Sequence, residues 1–344
     1  MTSVPLAAKV AALRRPEAYG ARAGPVEAVQ THMSWVFLAG TRAYKLKKPV
    51  RCGHLDFSTV GARHFYCLEE LRLNRRLAPD VYLDVVPLVR RGGALRVGGP
   101  GTPVDWLVCM RRLPAAEMLD AMLGRGAATP AHMAAVARCL ARFHAAQPAA
   151  AISKAAYRAL LARQIDENER ELAGCGAGSL RASRVKALCE RQRRLLGAAA
   201  RVFDARVAAG RVIEGHGDLR PEHVYLGETL AVIDCLEFSQ ELRTLDGADE
   251  IAYLAAECER AGAPALAAAL IDAWRRESAD APAAGLLDFY ASLRCAVRAR
   301  LAAAHLRDRR YRTDAARWLA RAAQYMGLAR RHLRACRLTI PSSA

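Results

Sequence analysis

From Pro130 to near its end the chain reads as long alanine- and arginine-rich helices, at about 130–147, 154–173, 179–209, 264–278, 284–307 and 313–337. They are broken once, by VIEGHGDLRPEHVYLGETLAVIDCLEF at Val212–Phe238. Helices of this length must bury an apolar stripe on one another. The break is therefore a polar β insertion carried by a helical body. Within it RVIEGHGDL, VYLGE and TLAVIDCLEF read as short strands and loops, with Gly227 at a hairpin turn. GCGAGS near 174–179 reads as a loop between helices.

The residues ahead of that body follow another pattern. After a short N-terminal helix, VEAVQTHMSWVFLAGTRAYKLKKPV alternates apolar and polar residues, with turn signals near His32–Ser34 and Gly40–Arg42, which predicts a three-strand meander. Phe65, Leu68, Leu71, Leu73 and Leu77 have helical spacing between Gly61 and Pro79, where proline ends the segment. A hairpin, VYLDVVPLVRRGGALRVGG, and a strand, PVDWLVCMRRL, follow. The expected fold class is α+β: a small mixed β-sheet lobe over 1–109, and a large, mainly helical lobe over 110–344 that carries the polar insertion.

Composition agrees with helix as the main element. The residues are 53% hydrophobic, much of it alanine, and only 6% aromatic. No run of about 18 apolar residues occurs, and the N-terminus lacks a signal-peptide arrangement, so no membrane span is expected and a cytoplasmic location is. Ten cysteines are scattered without a CxxC pair, which argues against a zinc ribbon or a disulfide framework. A formal charge of +18 raises nucleic acid as a partner, but the arginines are spread through nearly every predicted helix, as on a solvated surface. Lysine is scarce. The chain has Lys9, Lys45, Lys47, Lys48, Lys154 and Lys186, and three of these fall within YKLKK. A chain that otherwise uses arginine keeps compact ammonium groups at one place.

Asp218 follows HG and precedes His223, and Asp234 ends the apolar run LAVI. Two carboxylates on loops held by short strands suit phosphoryl transfer. One orients and accepts the proton of an attacking hydroxyl; the other holds Mg²⁺ on the phosphates. Such a site also needs a cation for the nucleotide phosphates, with its own carboxylate. Lys45, on the third strand, and Glu70, on the helix after it, are spaced for that pair. Lys47 is a rival to Lys45, because alternation puts both on one face.

HGDLRPEH and VIDCLEF resemble the catalytic and metal loops of aminoglycoside phosphotransferase-like kinases, a branch of the protein-kinase-like two-lobe fold, and LARFHAA at Leu140–Ala146 looks like the helix before that catalytic loop. THMSWVFLAGTRAYKLKKPV, LDFST, EELRLNRRLAP, MRRLP and DCLEFSQELRTLDGADEIAYL more narrowly resemble an uncharacterised bacterial group, some of whose members are fused to a C-terminal P-loop ATPase-like kinase domain. No GxxxxGK[ST] motif occurs, so the chain resembles the kinase-like part alone. The resemblance implies Asp218 as catalytic base, Asp234 as Mg²⁺ ligand, Lys45 on the α and β phosphates and Glu70 as its partner. It also implies a hinge beside the adenine at Met110, Arg111 and Leu113, and a Thr31–Ser34 turn over the phosphates. His223 stands where the kinase pattern has a metal-binding asparagine, and divides between metal contact and loop packing.

His216 is expected to brace the loop, His144 to face the core, and Glu237, Arg243, Asp246 and Asp249 to form a buried network. The implied activity is Mg²⁺-dependent transfer of the γ-phosphate of ATP or GTP to a small-molecule hydroxyl. Alternatives are a catalytically weak nucleotide-binding regulator, a basic nucleic-acid-binding protein, and a metal-dependent phosphohydrolase using His216, Asp218, His223 and Asp234.

Overall fold

In chain order, the computed structural model runs α1 (Leu6–Leu13), β1 (Val26–Gln30), β2 (Ser34–Ala39), β3 (Arg42–Lys47), β4 (Arg51–Cys52), β5 (Leu55–Asp56), α2 (Val60–Asn74), β6 (Tyr82–Arg91), β7 (Ala94–Val97) and β8 (Thr102–Arg111). Helices α3 (Leu119–Gly124), α4 (Pro130–Ala146), α5 (Lys154–Ala173), α6 (Ala182–Ala198) and α7 (Ala200–Ala208) follow. Then come β9 (Val212–Glu214), β10 (Val224–Tyr225), β11 (Ala231–Val232), α8 (Gln240–Arg243), β12 (Thr244–Asp246), α9 (Gly247–Arg260), α10 (Pro264–Ser278), α11 (Leu286–Ala304) and α12 (Ala315–Ala335). The residues described are 4–20, 24–52, 55–175, 180–307 and 314–338. Most of the expected 174–179 loop and part of the basic stretch before Ala315 lie outside them.

The chain forms two units, Met1–Ala121 with Glu222–Leu242, and Met122–Pro221 with Arg243–Ala344. In the first, six antiparallel strands form a sheet in the order β1-β2-β3-β8-β6-β7. Alternation sorts its side chains into two cores. Phe37 and Leu46 join Leu13, Leu88 and Leu107 on the α1 side, while Ala43, Val108 and Met110 meet Cys67 and Leu71 of α2, with Tyr225 and Ala231, on the other. Each fully buried side chain such as Phe37 or Leu46 contributes about 1.5–3 kcal/mol. Lys45 and Lys47 share parity with Ala43, so both face α2. The β10–β11 pair joins this unit through Leu226 N–H to the Glu117 carbonyl and Val232 N–H to that of Leu77.

The second unit is built on α9, whose residues Gly247–Cys258 are all buried. It packs on α10 and α11, with α4 against α10, α12 against α11, and α5 between α6 and α11. Helix α9 is not among the helices expected from the sequence, although GADEIAYLAAECER is amphipathic; it is buried on every side because its polar residues Asp249, Glu250 and Glu257 meet Arg294, His144 and Arg260. The single helix expected over 179–209 is two, divided at Ala199 (φ −99°, ψ 24°) just after Gly197, a poor helix former. Helix α2 stops at Asn74, short of Pro79, and its N-terminus is capped by the Thr59 hydroxyl on the Ala62 N–H. No helix among the described residues is long and apolar enough to cross a membrane.

Candidate active site

YKLKK resolves into three lysines with three settings in the sheet unit. Lys45 Nζ lies 2.8 Å from Glu70 Oε1 and 2.6 Å from Asp234 Oδ1. Lys47 Nζ lies 2.5 Å from Glu70 Oε2 and also donates to Glu237. Lys48 donates to the backbone carbonyls of Thr31 and His32 and so holds the turn at the start of β2. In that turn the Thr31 hydroxyl accepts the Ser34 N–H at 3.0 Å, and Ser34 itself is buried.

Glu70 is fully buried, which alone would raise its pKa, yet the ammonium groups of Lys45 and Lys47 hold it below the usual carboxylate value. Burial opposes the charge of Lys45, but Asp234, Glu70 and Glu237 outweigh it and keep the amine protonated well above its ordinary range. Lys45 and Glu70 are thus brought together as the spacing predicts, and Asp234 joins them from a distant part of the chain.

Asp234 has φ 62°, a left-handed backbone that costs a non-glycine residue about 1–3 kcal/mol and persists only where its surroundings impose it. Those surroundings come from α2 and β6. The Tyr82 hydroxyl accepts the Asp234 N–H at 3.0 Å, and Asn74 Oδ1 accepts the Cys235 N–H at 2.9 Å while its Nδ2 donates to the Glu70 carbonyl. Asn74 is remote in sequence and adjacent in space, and only the fold reveals it. His223 Nε2 lies 3.5 Å from Asp234 Oδ2, beyond good hydrogen-bond length.

Among the described residues no group of three or more His, Cys, Asp or Glu side chains is placed to hold an ion. A cation at Asp234 would be held by that carboxylate with His223 beside it, and a carboxylate oxygen is a donor that Mg²⁺ accepts. The Asp234 carboxylate, 45% exposed, offers an oxygen for it.

Met110 and Arg111 end β8, with Met110 paired to Ala43 and Tyr82 and Arg111 to Arg42. Arg111 lies 5.9 Å over the Tyr225 ring, and Leu113 packs on the α2-side core.

In the helical unit the loop after β9 carries Asp218. Tyr253 donates to its Oδ1 at 2.9 Å and Arg220 Nε to its Oδ2 at 3.0 Å. His216 is buried and its Nδ1 accepts the Asp218 N–H at 3.3 Å, a bracing bond from within the loop.

Glu250 of α9 supports the same loop from behind, accepting the N–H groups of His216 at 2.6 Å and Gly217 at 2.8 Å, with His144 Nε2 at 3.1 Å. Burial would raise its pKa, but His144, His216 and the Gly217 N–H bring it to about 2. Two glycines make room for this arrangement. A Cβ on Gly215 would fall 2.9 Å from the Glu250 carboxyl, and one on Gly247 would fall 2.9 Å from His144 Nδ1. Glu250, Tyr253 and Arg220 had no sequence signal beyond their nearness to the motifs. Of the expected network, Arg243 pairs with Glu214, Asp246 with Arg206 and Asp249 with Arg294, whereas Glu237 joins the lysines.

No protein-family model matches the chain. It is 33% identical over 279 residues to the uncharacterized protein Rv2004c of Mycobacterium tuberculosis (strain ATCC 25618 / H37Rv), an alignment covering 80% of this chain and 54% of that protein. The chain thus spans about half the length of that relative. A choline/ethanolamine kinase family protein from Mesorhizobium loti is similar in structure, with a TM-score of 0.52 and 17% identity over 93% of this chain and 95% of that one. Choline kinase from Cryptosporidium parvum Iowa II gives a TM-score of 0.56 and 9% identity over 89% and 88%. The chain has a protein-kinase-like two-lobe α+β fold.

Proposed function

We propose that the chain is a phosphotransferase that moves the γ-phosphate of ATP or GTP, with Mg²⁺, to a hydroxyl of a small molecule. The observation that carries this reading is the Lys45 ammonium set between buried Glu70 and the exposed, left-handed Asp234. Lys45 turns to the α and β phosphates, with Glu70 fixing its position. Asp234, with His223 beside it, would hold the metal, which when bound neutralises phosphate charge. Asp218 accepts the proton of the acceptor hydroxyl, its two oxygens oriented by Tyr253 and Arg220. Met110, Arg111 and Leu113 line the adenine, and Ser34 anchors the turn over the phosphates. Within each unit these groups are held by their own partners, the positioning that phosphoryl transfer asks of a protein.

The test is γ-phosphate transfer from ATP or GTP to metabolite extracts, comparing wild type with Asp218→Ala, beside a thermal-shift titration with nucleotide and Mg²⁺. Transfer lost in the variant supports the reading; wild type with no nucleotide-induced shift overturns it. A second reading, a nucleotide-binding regulator with weak catalysis, is favoured by His223, since Mg²⁺ prefers oxygen to imidazole nitrogen. A nucleotide shift without transfer across the acceptor panel selects it.

A further inference from the structure

Lys47 has no part in the reaction as set out above, and its surroundings differ from those of Lys45. Its side chain is 0% exposed, against 13% for Lys45. Its ammonium touches Glu70 and Glu237 and lies 5.0 Å from the centre of the Phe57 ring. Burial works against the charge, yet Glu237 and Glu70 keep the amine protonated above its ordinary range. Glu70 gives one oxygen to each lysine. Lys45 matches the pair Glu70 and Asp234; Glu237 is an additional carboxylate, and Lys47 is its counter-charge.

Glu237 belongs to the loop of Asp234, three positions on. A left-handed residue must be held on both sides to stay in that state. Tyr82 and Asn74 hold the backbone at Asp234 and Cys235. Beyond that point, the Glu237 carboxylate ties the loop to β3 through Lys47.

Resting on the phosphotransferase reading, we infer that Lys47 and Glu237 form a buried latch that fixes the Asp234 loop against β3, and that Lys47 is a positioning residue which never meets the nucleotide. Removing one member of such a pair strands the other in the interior, whereas removing both does not. Partners that orient a metal ligand typically change metal affinity about 10- to 100-fold when lost.

The experiment uses the full chain as wild type, Lys47→Met, Glu237→Gln, the double variant and Lys45→Met. Melting temperature without ligand is measured first, then affinity for ATP and GTP with Mg²⁺ and with EDTA. Lys47→Met is expected to lower the melting temperature and to weaken binding about 10- to 100-fold in Mg²⁺ while leaving binding in EDTA unchanged. Adding Glu237→Gln recovers most of the melting temperature but not the Mg²⁺-dependent binding, since the latch is absent from both variants, and Lys45→Met weakens binding with and without the metal.

If Lys47→Met fails to fold, Glu237→Gln alone must show the Mg²⁺-dependent loss. A Lys47→Met variant whose loss of affinity is as large in EDTA as in Mg²⁺ overturns the latch, because Lys47 then touches the nucleotide. So does a Lys47→Met variant indistinguishable from wild type. Wild type that binds no nucleotide defeats the phosphotransferase reading instead, and the melting temperatures of the single and double variants still decide the latch.

Discussion

The buried charges of the helical unit and those around the Asp234 loop are built from different cations, while elsewhere in the sheet unit Arg63 and Lys9 share Asp105. In the helical unit Arg206 meets Asp246 at 2.7 Å through two nitrogens and Asp280 at 2.6 Å through two, and Arg294 meets Asp249 at 2.8 and 2.6 Å. In the sheet unit Lys45 and Lys47 share Glu70, and each holds one more carboxylate from the Asp234 loop. A guanidinium fork fixes direction as well as charge, so its pairs are scaffold. An ammonium is a point charge on a flexible stem and can trade one oxygen for another. The difference teaches where exchange is possible: under the proposed reading, Lys45 is the cation for which a phosphate would compete.

That contrast can be broken at its strongest point first. Arg206→Met strands Asp246 and Asp280 and is expected to cost about 3–5 kcal/mol in denaturant unfolding. A loss under 1 kcal/mol would remove the arginines from the scaffold.

Glu250 is the helical unit's exception, a carboxylate held by backbone N–H groups and His144 instead of arginine. Its pKa of about 2, down from 4.5, contributes on the order of 3 kcal/mol at neutral pH, present above about 4.5 and lost as pH falls toward 2. Glu250→Gln should therefore be less stable than wild type at pH 7, with the gap closing in acid. Parallel curves would show that the Asp218 loop does not depend on this charge.

The exchange of cation type sharpens the comparison directly. Lys45→Arg keeps the charge and is expected to leave the melting temperature nearly unchanged, while phosphate transfer falls about 100-fold because the fork cannot re-aim. Unimpaired transfer would mean that any cation suffices.

The smallest effect is at His332 of α12. Burial disfavours its charge, but Asp288 and Glu259 raise its pKa from 6.5 to about 9. That stability is complete below about pH 6.5 and disappears as pH rises through about 9. His332→Gln should thus match wild type at pH 10 and be weaker at pH 6 by chemical denaturation.

Much of the sheet unit was legible because its short strand patterns are separated by turn signals, at His32–Ser34 and Gly40–Arg42. The alternation in SWVFLAGTRAYKLK sets the meander and also the shared face of Lys45 and Lys47. Helix α9 lies partly inside the motif DCLEFSQELRTLDGADEIAYL, but the roles of Glu250 and Tyr253 depend on the packing of α9 against the Asp218 loop. Asn74 was invisible for another reason: its partner, the Cys235 N–H, is defined by tertiary packing alone. Lys45 and Lys47 could be read as rivals from spacing, but their division of labour depends on Asp234 and Glu237 arriving from far downstream.

The sheet unit takes its last segment, Glu222–Leu242, from beyond most of the helices. On the ribosome, therefore, the six strands emerge early with two interior lysines and only Glu70 to answer them. The carboxylates that complete the set follow only after α4 to α7 have been synthesised. Domains tend to fold as they emerge, N-terminal parts first. Here the first-made unit is completed late, and a nascent chain halted before Asp234 carries an unmatched positive charge at the centre of its sheet.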